Sequence, residues 1–191
     1  SVSELIKRLS LLGALNSLSQ LTRKAMIPGV PDFYQGTELW DSSLVDPDNR
    51  RPVDMAMRKE EIDKLSDSPN WQQLARNWQD GRVKLQWTQH LLEFRRTHSK
   101  IFCGAYVPLK VEGTHSNHVI AFARKADQAT GIVVALRQMA AFTNGGRHWP
   151  DFSSLNARIQ LPGDFKVVAG KNGILDIASV VTDLPVYVSL A

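Results

Sequence analysis

Leu5, Leu9 and Leu12 recur at helical spacing, and Leu11, Leu15 and Leu18 form a second row beside them, so residues 3–26 predict a helix. Two rows make a wide apolar stripe, which a sheet or neighbouring helices must cover. Ser1 and Glu4 have the spacing of a capping box, and Pro28-Gly29 stops the helix. Val30 to Gly36 is a short run between breakers, the length of one buried strand. Residues 37–54 show neither a period of two nor of 3.6 and predict a long structured loop. Three helical stretches follow. Residues 55–66 are charged and expected on the surface. Residues 70–79 place Trp71, Leu74, Ala75 and Trp78 on one face, and residues 82–98 direct Leu85, Leu91, Leu92 and Phe94 inward.

Past residue 103 the pattern changes to short β-type runs: 105–111, 118–124, 132–136, 157–161, 165–168, 174–181 and 184–190. Turn signals such as Asn144-Gly145-Gly146 and Lys171-Asn172-Gly173 separate them. Short strands without intervening helices predict an antiparallel sandwich. The chain therefore divides into a helical part, 1–103, and a strand part, 104–191, an α+β arrangement.

Hydrophobic residues make up 43% of the 191, enough for a sizeable core. Lys and Arg number 23 against 19 Asp and Glu, and the excess is scattered. A nucleic-acid surface asks for a concentrated patch, so no nucleic-acid partner is expected. No apolar run reaches the ~18 residues of a membrane span. The single cysteine, Cys103, excludes an internal disulfide and points to a reducing, cytoplasmic setting. Between Phe102 and Gly104 it is expected as a small buried group. The start has no signal-peptide pattern and opens directly into a helix, as if cut from a longer chain. The five histidines stand outside HExxH or CxxC contexts, so neither metal nor cofactor is expected.

The candidate chemistry lies in residues 32–54. Asp32, Glu38, Asp41, Asp46, Asp48 and Asp54 share this stretch with Arg50, Arg51, Phe33, Tyr34 and Trp40. Sugar recognition needs this mixture, because a pyranose offers an apolar face to an aromatic ring and hydroxyls to charged groups. Acids and arginines can equally pair with each other to shape the loop. Asp32 and Glu38 as a glycosidase pair would need carboxyl groups about 5 Å apart, which the spacing neither requires nor forbids.

The run Pro28-Gly29-Val30-Pro31-Asp32-Phe33-Tyr34-Gln35-Gly36-Thr37-Glu38-Leu39-Trp40 resembles the last barrel strand of the α-amylase superfamily. The string Ser43 to Asp54, with Asp46-Pro47-Asp48-Asn49-Arg50-Arg51-Pro52, narrows the resemblance to the maltooligosyltrehalose synthase family. Gly81-Arg82-Val83-Lys84-Leu85 and His118-Val119-x-Ala121-Phe122-Ala123-Arg124 are similar to the same family. The likeness is strong to about residue 124 and thin after 140.

The resemblance implies the last helix–strand–helix part of a TIM barrel, with the eighth strand at 29–36, followed by a C-terminal β-sandwich. It implies a bacterial isomerase of trehalose biosynthesis. Its parent would convert the reducing-end α-1,4 linkage of a maltooligosaccharide to an α,α-1,1 linkage. The superfamily's catalytic carboxylates lie on earlier strands, so none is assigned in this chain, which alone is expected to be inactive. Loops at the C-terminal ends of barrel strands face substrate, which makes Tyr34, Gln35, Glu38, Trp40, Asp48, Arg50 and Arg51 the candidate substrate-binding residues. The implied partners are the maltooligosaccharide and the upstream barrel, whose missing strands would leave apolar surface free for self-association. Two other classes stay open. The string 46–54 argues against an amylase-type hydrolase, and the incomplete barrel pattern argues against a self-standing glycan-binding module.

Overall fold

The computed structural model describes residues 1–191 except 44, 45, 47–49, 128, 163–164 and 166–172. Helix α1 (Val2–Met26) is capped by the Ser1 hydroxyl, which accepts the Glu4 N–H at 3.4 Å. It ends where Ile27 turns extended before Pro28. Leu11, Leu15, Leu18, Leu21, Ala25 and Met26 are buried, whereas Val2, Leu5, Ile6 and Leu9 are exposed. At 100° per residue the two sets lie on opposite sides of the helix. The Leu5–Leu9 row, expected to be covered, faces outward.

The strand expected at 30–36 does not form. These residues lead into a turn without forming a ladder, and Val30 is 99% exposed. The physical reason is the lack of a partner: a strand needs a neighbour for its N–H and C=O groups, and the described sheets all lie beyond residue 104.

Helices α2 (Met55–Ile62), α3 (Trp71–Arg76), α4 (Arg82–Thr97) and α5 (Ser99–Phe102) complete the helical part. As expected, α2 buries none of its residues. On α4, Leu85, Leu91 and Phe94 are buried, but Leu92 is 44% exposed because it turns toward an open cleft. Cys103 caps α5 and is exposed, not buried as its apolar neighbours suggested.

The strands are β1 (Ala105–Pro108), β2 (Val111–Glu112), β3 (Val119–Ala126), β4 (Ala129–Leu136), β5 (Arg158–Gln160), β6 (Ile174–Asp176) and β7 (Val186–Leu190). They form two antiparallel sheets, ordered β1-β3-β4-β7 and β2-β5-β6. The expected run 174–181 ends early because the Asp176 carboxylate accepts the Ala178 N–H at 3.1 Å and starts a 3₁₀ turn. The strand expected at 165–168 lies largely outside the described residues.

The alternation along β3 and β4 sorts the core. Phe122, Val133 and Ala135, with Val186 and Val188 of β7, pack with Leu18, Ala25, Met26, Val83, Trp87, Leu91 and Phe94 of the helices. Ala121, Ala123, Ile132, Val134 and Leu136 join Ile159 and Leu175 of the second sheet. The four-stranded sheet thus lies between helices and the other sheet, and its central strands β3 and β4 are buried on both faces, which explains the unbroken apolar run Ile132–Leu136. Packing does not pause at residue 103. Ser19 on α1 donates its hydroxyl to the Leu136 carbonyl at 2.6 Å, and the Arg8 Nε–H donates to the Gly145 carbonyl at 2.6 Å. No helix among the described residues is long and apolar enough to cross a membrane.

Candidate functional site

The C-terminal half of α1, one face of α4 from Lys84 to Leu92 and the segment 32–38 border an open cleft of about 600 Å³. Asp32, Tyr34, Thr37 and Glu38 line it from the segment, Lys24 from α1 and Lys84 from α4. The segment is held in a turn. The Thr37 hydroxyl donates to the Tyr34 carbonyl at 2.6 Å, and the Gly36 N–H donates to Glu38 Oε1 at 3.2 Å. Gly36 has φ +88°, and a Cβ there would stand 3.0 Å from a Val53 methyl, so this turn demands glycine.

Glu38 is engaged from both sides. Its second oxygen lies 3.5 Å from Arg58 Nε, and Arg58 also donates to the Gly36 carbonyl at 3.3 Å. The pair is half-buried, so its main effect is to fix the turn's shape. Tyr34 is the aromatic side chain left open in the cleft, at 43% exposure.

Trp40 sits differently. Its indole N–H donates to the Trp78 carbonyl at 2.6 Å, and the two rings meet edge-on at 6.3 Å. It packs against the helical core cluster and is not among the residues lining the large cleft. Gly81, at φ +80°, lets the chain at Leu39 and Trp40 come within contact distance of the α4 start.

Gln35 and Arg51 face a second cleft, of about 380 Å³, with Asp41, Ser43, Asp54 and Arg58. Hydrogen bonds from the Ser43 hydroxyl and N–H hold the Asp41 carboxyl below its ordinary range. Arg50 pairs with Asp46 at 2.5 Å on the surface, where such a pair contributes little. Asp48 lies outside the described residues. Tyr34 and Glu38 are therefore brought together, Gln35 and Arg51 share the neighbouring cleft, and Trp40 and Arg50 stand apart from both.

Lys84 was missed from sequence as a site residue. It is 9% exposed, donates to the Leu39 carbonyl at 3.0 Å and lies 5.5 Å from the centre of the Trp40 ring. Burial pushes its ammonium below the ordinary lysine range, and Lys24 adds to this, against the pull of Asp41 and Glu38. The available signal was a lysine flanked by Val83, Leu85 and Trp87, within the part of the helix that packs inward. Lys24 is placed over the Phe33 ring at 4.5 Å. Among the described residues no cluster of three or more His, Cys, Asp or Glu could hold a metal.

No family model matches the chain. Two curated proteins from two strains of Mycobacterium tuberculosis, carrying the name maltooligosyl trehalose synthase, are each 43% identical to it over 102 residues. Those matches cover 53% of this chain and 11% of the relatives, so the chain spans only about a ninth of their length. Among solved structures, a mutant of maltooligosyltrehalose synthase from Arthrobacter ramosus gives a TM-score of 0.71 at 30% identity, over 99% of this chain and 23% of that one. A crystal structure of maltooligosyl trehalose synthase gives 0.58 at 34% identity, over 66% of this chain and 16% of that one. The mixed helical and antiparallel fold is shared with these structures. In sequence and in fold, this chain is similar to one portion of a maltooligosyltrehalose synthase.

Proposed function

We propose that the chain is a C-terminal part of an intramolecular transglucosylase. The parent enzyme would move the reducing-end glucose of a maltooligosaccharide from an α-1,4 to an α,α-1,1 linkage. The observation that carries this reading is the cleft itself. An open tyrosine ring stands beside carboxylate, hydroxyl and ammonium groups, on the segment whose residues carry the family likeness. In this reading residues 1–103 end the catalytic barrel and 104–191 form its β-sandwich domain. The outward row of α1 and the ladderless 30–36 segment would meet the upstream barrel.

The chemistry follows from what the cleft offers. A retaining mechanism forms a glycosyl-enzyme intermediate on carboxylates supplied by the rest of the parent. The released glucose must stay, turn and attack through its anomeric hydroxyl before water does. Tyr34 presents a flat apolar surface to the ring's C–H face, and Thr37, Asp32 and the edge of Glu38 present polar atoms to its hydroxyls. Gln35 and Arg51 extend polar contacts on the other side of the turn. Excluding water and fixing orientation favour reattachment over hydrolysis.

The test is incubation with maltopentaose and chromatography of the products. The full-length protein is expected to give a non-reducing, trehalose-ended product, whereas the 191-residue chain alone is expected to give none. Turnover by the isolated chain at enzyme-like rates would refute the assignment of the carboxylates to the rest of the parent. Pure hydrolysis by the full-length protein would favour an amylase-type hydrolase instead.

A further inference from the structure

We propose that Lys84 is a positioning residue for sugar retention, holding the 38–41 segment against α4 through the Leu39 carbonyl and the Trp40 ring. This rests on reading the cleft as the sugar site. It assigns a role to a residue that touches the segment and need not touch the substrate.

Lys84 as a residue is only 9% exposed although it borders the cleft, so its ammonium has given up part of its water, and such a group persists where partners replace that water. Here the partners all belong to one short stretch of loop: the Leu39 carbonyl at 3.0 Å, the Trp40 ring at 5.5 Å, and the nearby carboxylates of Glu38 and Asp41. A leucine or methionine would fill the same volume without a desolvation cost. The lysine gives what those cannot, a directional link between a helix and a loop backbone. That link reaches the loop between Glu38, which lines the cleft, and Trp40, which is fixed to Trp78. Loss of the link should let the cleft wall drift while leaving the helical core in place.

The charge matters as well as the shape. The groups facing Lys84 are Lys24 from α1, which repels it, and Glu38 and Asp41 from the loop, which attract it. Burial and Lys24 lower the ammonium's pKa. It should therefore lose its proton, and the loop its charged anchor, at a lower pH than an ordinary lysine would.

The experiment compares the full-length protein with its K84M and K84R variants on maltopentaose. The readouts are the ratio of free glucose to isomerised product and the melting temperature. At about pH 7, K84M should raise the ratio roughly tenfold, the scale expected for loss of a charge-assisted hydrogen bond. K84R, which keeps a cationic donor, should shift it less. In the wild type the ratio should climb as pH is raised toward the lysine range. In K84R this alkaline rise should disappear, because a guanidinium stays charged there. An unchanged ratio in a folded K84M would overturn the proposal, and so would an alkaline rise in K84R equal to the wild type's. Should K84M fail to fold, the K84R pH comparison decides alone. A wild type that makes no isomerised product refutes the sugar reading and this inference together. A wild type that isomerises beside variants that match it refutes only the role of Lys84.

Discussion

The Trp87 indole N–H on α4 donates to the Thr22 hydroxyl on α1 at 2.7 Å, and that hydroxyl donates on to the Leu18 carbonyl at 2.8 Å. Both side chains are buried, and this relay, with the Arg95 guanidinium donating to the Ala25 carbonyl, joins the two helices that flank the cleft. Thr22→Val keeps the volume and removes the acceptor. Leaving a buried indole N–H unpaired should cost about 1–3 kcal/mol, read as a lower urea midpoint with an unchanged slope. A Trp87→Phe, Thr22→Val double variant should recover part of that loss.

Tyr34 and Trp40 should separate in their effects. Tyr34→Ala removes an open surface of the cleft, so in the full-length protein the glucose share should rise about tenfold for each 1.4 kcal/mol of lost sugar contact, with little change in melting temperature. Trp40→Ala removes a partly buried, packed side chain, at a cost of about 2–3 kcal/mol, below that of a fully buried tryptophan. Both products should then fall together as the melting temperature drops. Product chromatography and calorimetry on the two variants check the contrast.

The Glu38–Arg58 pair should behave as a brace. Arg58→Met leaves a half-buried carboxylate without its cation and frees the Gly36 carbonyl. The expected result is faster proteolytic cleavage within 34–41, together with a higher glucose share. Unchanged cleavage would place the brace elsewhere.

His90 gives a dependence on pH. The residue is exposed to solvent at one side, but its ring stacks on Trp87 at 4.9 Å and meets Trp71 edge-on, and this partial desolvation lowers its pKa below the ordinary 6.5. Between the two values the unfolded chain binds more protons than the folded one, so stability rises with pH and is lost as pH falls below 6.5. His90→Phe should flatten that part of a stability-versus-pH curve measured by urea titration.

The exposed row of α1 is expected to drive self-association of the isolated chain. Leu5→Lys with Leu9→Lys should shift sedimentation toward a single species without loss of helix signal, because neither side chain belongs to the core.

Periodicity was a reliable guide where an element's partners lie within the chain. The helices 2–26 and 82–97 and the strand runs at 118–124 and 132–136 were legible because each supplies or meets its own covering surface. It failed at 30–36, where the apolar pattern is present but no described strand pairs with it, and at Leu92, which borders open space. For the site, the loop composition pointed to a stretch, 32–54, whose residues line both clefts. It could not separate Tyr34, which stays open, from Trp40, which is tied to Trp78, because that difference depends on a carbonyl 38 residues away. Lys84 was hidden for a similar reason: its partners come from a segment 45 residues earlier.

The burial of β3 and β4 on both faces also limits how this chain can be divided. Phe122 and Val133 look toward the helices, and Ala121 and Val134 look toward the second sheet. A cut at the change from helix to strand would strip Val83, Leu91 and Phe94 of the floor they rest on and bare one whole side of β3, β4 and β7. Neither piece would then be a soluble unit of its own. For anyone trimming this protein for crystals or for a sugar-binding probe, the cleft and the strands that never touch it have to be kept together.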